Sequence, residues 1–426
     1  MKLKILWANP RITSPHPLVT YPMDTLEYRS VIFNKREKSG PNRQPIASQL
    51  ADLESCLWDV VILGAGVAGT AAAILAAKRG LKTLLVEAKP FPREKVCGGC
   101  LNRRAQGSLE RLGVLNQIQF AGSIRIDSMH LQILATSVIW PVPAMISVRR
   151  STLDTLLVDE AVTQGCNFID SAHGSLVASE SKTRLVRIQK QDQSVVVEAK
   201  CVLIASGLTR SPLKNPTNWP AVVHDDSRIG VQCMLAEKHA AAYVGNQLHM
   251  LVGKNGYAGI CSTDGNCVDI AAAIDPASIQ TLGGIEHVIR GILEECNAPS
   301  ILWPDVSPWM ATPALTRNSS RVVDRCVFLI GDAIGYVEPF TGEGMSWALA
   351  SAEAVMPHVI EIAHKEWNDR MADQWSDWAV RQRIQKQKTC RWIANRIRRP
   401  RGAAWVLRAC NWFPPLRSTI IRKTTQ

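Results

Sequence analysis

The alternation of apolar and polar positions changes character at Trp58. Ahead of it, residues 1–56 mix Pro, Ser, Asn and charge with no sustained period, which predicts a poorly ordered extension. The stretch 58-WDVVILGAGVAGTAAAILAAKRGLKTLLVEA-88 reads as an apolar strand, a glycine turn, an Ala-rich helix and a second apolar strand, a βαβ unit. Two later apolar runs, 201-CVLIASG-207 and 327-VFLIGDAIG-335, each end at a glycine and predict buried strands. Between them, 226–319 predicts mostly strands and loops, as in 267-CVDIAAAID-275, and a helical pattern starts near Gly344 and runs past Ala363. The order of elements predicts an α/β chain with a parallel sheet.

Composition narrows the class without changing that picture. The chain has 426 residues, 46% hydrophobic and 20% charged, enough for a sizeable core. Its apolar runs are interrupted by Gly, Lys or Arg well short of a bilayer-spanning length, so no transmembrane helix is expected. Two prolines in ITSPHP and the lack of a long apolar stretch near the start do not read as a secretory signal, and twelve cysteines are then expected as thiols in the cytoplasm. The net charge of +12 is local: residues 381–426 hold thirteen Lys or Arg and no Asp or Glu, and the rest of the chain sums to −1.

The chemistry starts at Gly64-Ala-Gly66-Val-Ala-Gly69, which follows a strand and opens a helix. Gly64 suits the tight turn, Gly66 a close backbone approach by pyrophosphate, and Gly69 close helix–strand packing; the helix N-terminus then faces the phosphates. Glu87, eighteen residues after Gly69, is placed to bind the adenosine ribose. The motif alone does not choose between NAD and FAD. The second half does: Gly331-Asp332 ends a buried strand where a carboxylate suits a ribityl or ribose hydroxyl. Gly342 and Gly344 open a helix whose N-terminus can stabilise negative charge on a reduced flavin.

With RxxLD at Arg150–Asp154, ASG at 205–207 and GDAIGYVEPFTGEGM at 331–345 added, residues 58 to about 360 resemble the flavoproteins that include geranylgeranyl reductases, class A aromatic hydroxylases and flavin halogenases. KVCGGCL at 95–101 is most similar to the geranylgeranyl reductase branch. The resemblance implies FAD contacts at Gly64, Gly66, Gly69, Glu87, Arg150 and Asp332, with Gly344 and Met345 near the flavin ring; Gly331 and Gly342 join them as the glycines of the two turns, and Arg93 and Lys95, which flank the CGGC loop, read either as partners of the pyrophosphate or reduced flavin anion or as solvated charges. It also implies that the loop of Cys97, Gly98 and Gly99 lies against the isoalloxazine, where glycine lets the backbone approach a flat ring. Read from its residues alone, CGGC leaves a redox dithiol or half of a zinc site open as well, although Cys261 and Cys267 are too loosely spaced to complete the latter, and no metal is expected.

The hydroxylase branch has Asp-Gly where this chain has Ser206-Gly207, and the Trp-x-Trp-x-Ile-Pro stretch of halogenases is absent. Reductase chemistry is therefore expected: hydride transfer at flavin N5 to or from a C–C bond of an apolar, isoprenoid-like small molecule, with NADPH or another external reductant. Cys97 and Tyr257 are the candidate catalytic residues, Tyr257 to orient substrate or donate a proton. The alternatives are a flavin monooxygenase acting on a small aromatic or polyketide-like substrate, and a membrane-associated electron-transfer flavoprotein reacting with quinone.

In 391-RWIANRIRRPRGAAWVLRACNWF-413, Val406, Ala409, Cys410 and Phe413 share a helical face, Trp405 and Trp412 lie beside it, and arginines fill much of the rest. That pattern predicts an interfacial helix on an anionic membrane surface, or a helical subdomain packed on the body; no nucleic-acid motif accompanies the charge. The expected organisation is an α/β fold. A Rossmann-type FAD-binding domain in two parts, 57–225 and 320–365, is interleaved with a β-rich substrate domain over 226–319, and a basic helical C-terminal region covers 366–426. The sequence carries no signal for oligomeric state.

Overall fold

The computed structural model describes residues 50–177, 182–213, 219, 221–338, 340 and 342–412. Most of the extension expected over 1–56 lies outside them. Its last residues do not behave as an extension: Leu53 is buried, and its carbonyl accepts a hydrogen bond from the Trp58 indole at 3.2 Å.

The first sheet runs Val323–Asp324, Val327–Leu329, Gln193–Ile204, Leu57–Leu63, Thr83–Val86, Asn167–Ile169. From Val327–Leu329 onward the pairings are parallel, and a hairpin of His173–Val177 and Arg184–Lys190 adds antiparallel to Gln193–Ile204. Its central strands are apolar on both faces because helices cover them, chiefly Val67–Ala77, Arg150–Thr163 and Gly344–His364. The register decides where the site can be. Leu63 pairs with both Val86 and Ile204, and Ile204 pairs with Leu329. The turns after all four strands therefore leave the sheet at one edge, its carboxyl end, where open α/β sheets bind ligands.

The second sheet runs Met310–Ala314, Ile229–Ala236, Cys267–Ile274, Gly256–Thr263, Gln247–Gly253, Ile124–Ile133, Thr136–Ser147, Cys100–Leu101. All its pairings are antiparallel except Gln247–Gly253 with Ile124–Ile133. Residue alternation gives it two apolar faces. Leu251, Ala258, Ile260 and Ile270 pack with Val288, Ile289 and Ile292 of the helix Ile285–Glu295. Met250, Tyr257 and Ala273 point to the opposite side, toward Leu131, Trp140 and the C-terminal helices.

Two expectations need correcting here. Residues 124–147, assigned from the sequence to the FAD-binding part, belong to the second sheet; the pairing that carries them there spans more than a hundred residues and leaves no local trace. The segment 226–319 also contains the helices Pro276–Leu282 and Ile285–Glu295. After the returning strand the chain is helical: Gly344–His364, Asp369–Ile397 and Pro400–Trp412. Among the described residues no helix is long and apolar enough to cross a membrane.

Candidate flavin site

The three glycines of the first turn do different things. Gly64 has φ +114°, and a Cβ there would lie 2.5 Å from the Ala205 carbonyl oxygen; a Cβ on Gly69 would lie 1.9 Å from that of Gly64. Both are needed for backbone to touch backbone. A Cβ on Gly66 would meet no backbone. It would sit 3.8 Å from Arg150 Nη2, 3.8 Å from Arg93 Nη2 and 3.9 Å from Lys95 Nζ. Three cations thus surround an open point at the N-terminus of the helix Val67–Ala77, the arrangement an anion needs. Gly64 and Gly69 form the backing of this point, and Gly66 faces it.

Carboxylates hold the cations in place. Arg150 donates to Asp154 at 3.0 and 2.8 Å, and Arg93 bridges Asp154 at 3.2 Å and Glu87 at 3.3 Å. Glu87 also accepts from the Ala65 and Lys89 backbone N–H groups at 2.9 and 3.0 Å, which ties the end of the second strand to the glycine turn. Burial lowers the Arg150 pKa, but Asp154, followed by Cys97, more than offsets it, so the guanidinium stays charged. The Lys95 ammonium is lowered by burial, with Asp332 at 3.9 Å pulling the other way. Its side chain is 37% accessible, yet it lies inside a cleft walled by protein, and the cleft sets its environment.

A cavity of about 760 Å³ starts at Gly66 and Lys95. Along its wall are Arg150, Cys97, Gly98, Gly99, Cys100, Gly331, Asp332, Gly342, Gly344, Met345 and Tyr257. The structure therefore brings twelve of the fifteen residues picked from the sequence, Gly66 and Lys95 included, to one surface; Gly64, Gly69 and Glu87 stand directly behind it. Two side-chain atoms near this end, Arg93 Nε and Ser206 Oγ, are buried with no hydrogen-bond partner among the described residues.

Cys97 and Cys100 of CGGC are both free thiols in this structure. The Cys100 sulfur meets that of Cys261 at 3.9 Å; this hydrogen bond and then burial hold the Cys100 thiol well above its ordinary range, so it stays protonated. Among the described residues no group of His, Cys, Asp or Glu is arranged to hold a metal ion. Gly99 has φ +61°, and a Cβ there would press on the Val148 carbonyl at 2.9 Å. The loop is pinned from behind by two residues that sequence reading missed. The Cys97 N–H donates to Gln232 Oε1 at 3.2 Å, and Gln232 Nε2 donates to Asp269 Oδ1 at 2.8 Å. Both are almost fully buried, and burial raises the Asp269 carboxyl well above its ordinary range.

Beyond this loop the wall becomes apolar: Met129, Leu131, Ile133, Trp140, Val142, Met145 and Met250, closed by Phe340, Ile397 and Leu407. Tyr257 stands here, its ring edge-on to Phe340 at 5.0 Å. Behind it lies a second missed cluster: Arg228, 1% exposed, reaches Asp275 at 3.0 Å and Glu338 at 3.3 Å, with its Cζ 5.9 Å from the Tyr257 ring. His224 and His249 stay outside the cavity; His249 packs between His130 and Tyr243.

A cationic, glycine-floored end that opens into an apolar chamber fits a dinucleotide whose other end is a flat aromatic ring. Residues 58–377 match the family model described as an FAD binding domain. The chain belongs to that family. FAD is its cofactor. It is 23% identical over 320 residues to conditioned medium factor receptor 1 of Dictyostelium discoideum, covering 70% of this chain and 62% of that one. It is 32% identical over 171 residues to menaquinone reductase of Mycobacterium tuberculosis, covering 36% and 38%. The match thus spans less than two thirds of either relative. Among solved structures, the flavin-dependent brominase Bmp2 superposes with a TM-score of 0.71 at 18% identity, covering 87% of this chain and 94% of that one; at that identity it supports the fold alone.

Proposed function

We propose that this flavoenzyme reduces, or in the reverse direction dehydrogenates, a carbon–carbon bond in an apolar, isoprenoid-like substrate, as the geranylgeranyl reductase branch does. The observation that carries the reading is the continuity of one cavity, cationic at Gly66 and apolar from Met129 to Leu407, with the glycines of CGGC at the transition. The 171-residue likeness to a menaquinone reductase supports the same substrate class. FAD held here would supply hydride chemistry, with an external two-electron donor such as NADPH as the source of electrons.

The chain's own residues have the remaining work. Arg93, Lys95 and Arg150 around Gly66 would hold the pyrophosphate, Glu87 would hold the adenosine ribose, and Asp332 would hold a hydroxyl of the ribityl chain. Gly98 and Gly99 leave room for the ring, and Gly344 and Met345 border it. The apolar wall excludes water and aligns an alkene on the ring. Tyr257 orients that alkene and delivers the proton to the carbon that does not take the hydride, so two electrons and two hydrogens are added in all. Cys97, beside Arg150, fills space at the loop.

The test is anaerobic: the FAD-loaded protein, reduced with dithionite, is mixed with menaquinone or geranylgeraniol and the flavin absorbance is followed. Return of the oxidised spectrum with a product heavier by two hydrogens is expected. No return without oxygen, but fast return in air with an oxygenated product from a small aromatic, would replace the reading with a monooxygenase.

A further inference from the structure

We propose that the helix Pro400–Trp412 docks on an anionic lipid bilayer, so that the apolar substrate passes from the lipid into the cavity beneath it. This rests on the reading of the apolar cavity given above and adds the partner that feeds it. The helix has two described sides. Ala404 and Leu407 are buried, with Ile397, against Leu131, Trp140 and Met250 of the second sheet, so the helix is itself part of the cavity wall. Arg401 and Trp405, at i and i+4, are exposed away from that packing, Trp405 to 72%, and Arg408 is exposed at its edge. The face inferred from Val406, Ala409, Cys410 and Phe413 lies outside the described side chains.

Charge selects the partner. Residues 381–426 contain no acidic side chain to neutralise the arginines. Arg398 is the exception in direction: it turns inward to Asp226, Asp275 and Glu338 and anchors the turn between the two helices. Arg408 gives one donor to Thr136 and keeps the rest. Arg396 and Arg399 are exposed and also line the cavity, so the cavity wall meets solvent on the basic side. A cationic rim with an outward indole around an apolar opening matches anionic headgroups above acyl chains. A nucleic acid would use the arginines and leave the indole and the apolar opening unexplained.

The full-length, FAD-loaded protein is floated with phosphatidylglycerol–phosphatidylcholine vesicles and with phosphatidylcholine alone. Binding to the first and not to the second is expected, and Arg401→Glu and Trp405→Glu should each weaken it by about tenfold while flavin absorbance and melting stay unchanged, since both side chains are exposed. Equal partition into both vesicles, no binding to either, or unaltered binding of the two variants would overturn the proposal, as would a duplex oligonucleotide that binds more tightly at the same salt. Vesicle binding needs no turnover. Docking without alkene reduction would remove the substrate reading and keep the docking, and alkene reduction in detergent by a protein that ignores vesicles would do the reverse.

Discussion

Substituting the glycines of the first turn separately should divide cofactor binding from folding. Gly66→Ala adds a methyl where the nearest atoms are three cationic tips at 3.8–3.9 Å, ordinary van der Waals distance, and Gly66 has φ −82°, which any residue adopts. As the cap of the helix it loses less than about 1 kcal/mol on this change. The apo protein should therefore fold with nearly the wild-type urea midpoint. The methyl nevertheless takes the point facing the helix N–H groups and the cations, and loss of one charge-assisted hydrogen bond there is about 1.5–3 kcal/mol, roughly ten- to hundredfold in FAD affinity. Gly69→Ala behaves oppositely. Its methyl would lie 1.9 Å from the Gly64 carbonyl oxygen, so the helix must move off the strand, at a cost of about 1–3 kcal/mol or more before any ligand is present. The assay is urea unfolding of each apo protein beside a titration of FAD followed by flavin fluorescence. Wild-type FAD affinity in Gly66→Ala, or a wild-type midpoint in Gly69→Ala, would refute the assignment of roles.

Arg228→Met should lower stability by about 3 kcal/mol in urea unfolding, because among the described residues it leaves Glu338, 1% exposed, with Arg398 at 3.7 Å as its one cation; adding Glu338→Gln should recover part of the loss. Burial raises the Asp269 pKa above its unfolded value, so its contribution to stability is complete below the ordinary carboxylate range and is lost as pH rises through the folded value. Asp269→Asn keeps an acceptor for Gln232, and its melting temperature should gain on wild type as pH rises; a difference that is flat with pH would count against a neutral Asp269. His249 is pushed the other way, to about 4, by burial and then by His130. Its contribution is present above the ordinary 6.5 and is lost as pH falls toward 4, so His249→Gln should flatten the acid side of the stability curve, and an unchanged curve would show that the ring titrates normally.

What could be read from the sequence was what is local. The turn at Gly64–Gly69, the acid at Glu87 and the Gly331-Asp332 corner each sit within a few residues of their own strand, and strand register then brings them to one edge of the sheet. Contacts between distant segments could not be read in the same way. Nothing local told where the Cys100 sulfur goes; it meets that of Cys261, 161 residues away. The basic C-terminal pattern was visible as a pattern, but not the cavity it closes.

Gln232 and Asp269 did leave a signal. Each is a polar residue inside an otherwise apolar strand, in 229-IGVQCMLA-236 and 267-CVDIAAAI-274. Alternation puts Val231, Cys233, Val268 and Ile270 against the covering helix, so Gln232 and Asp269 must face the other side. A buried polar side chain on such a face demands a partner, since an unmet one costs about 1–3 kcal/mol. The CGG loop supplies it, because a backbone that turns glycine toward a ring must turn its own N–H groups elsewhere. The Cys97 N–H needs an acceptor, Gln232 offers its carbonyl, and the amide nitrogen is then fixed by Asp269. This chain has one polarity: Asp269 accepts, Gln232 relays and Cys97 donates. The orientation of the CGG loop is thus set by two residues in the second sheet, which ties that sheet to the loop through three side-chain or backbone groups.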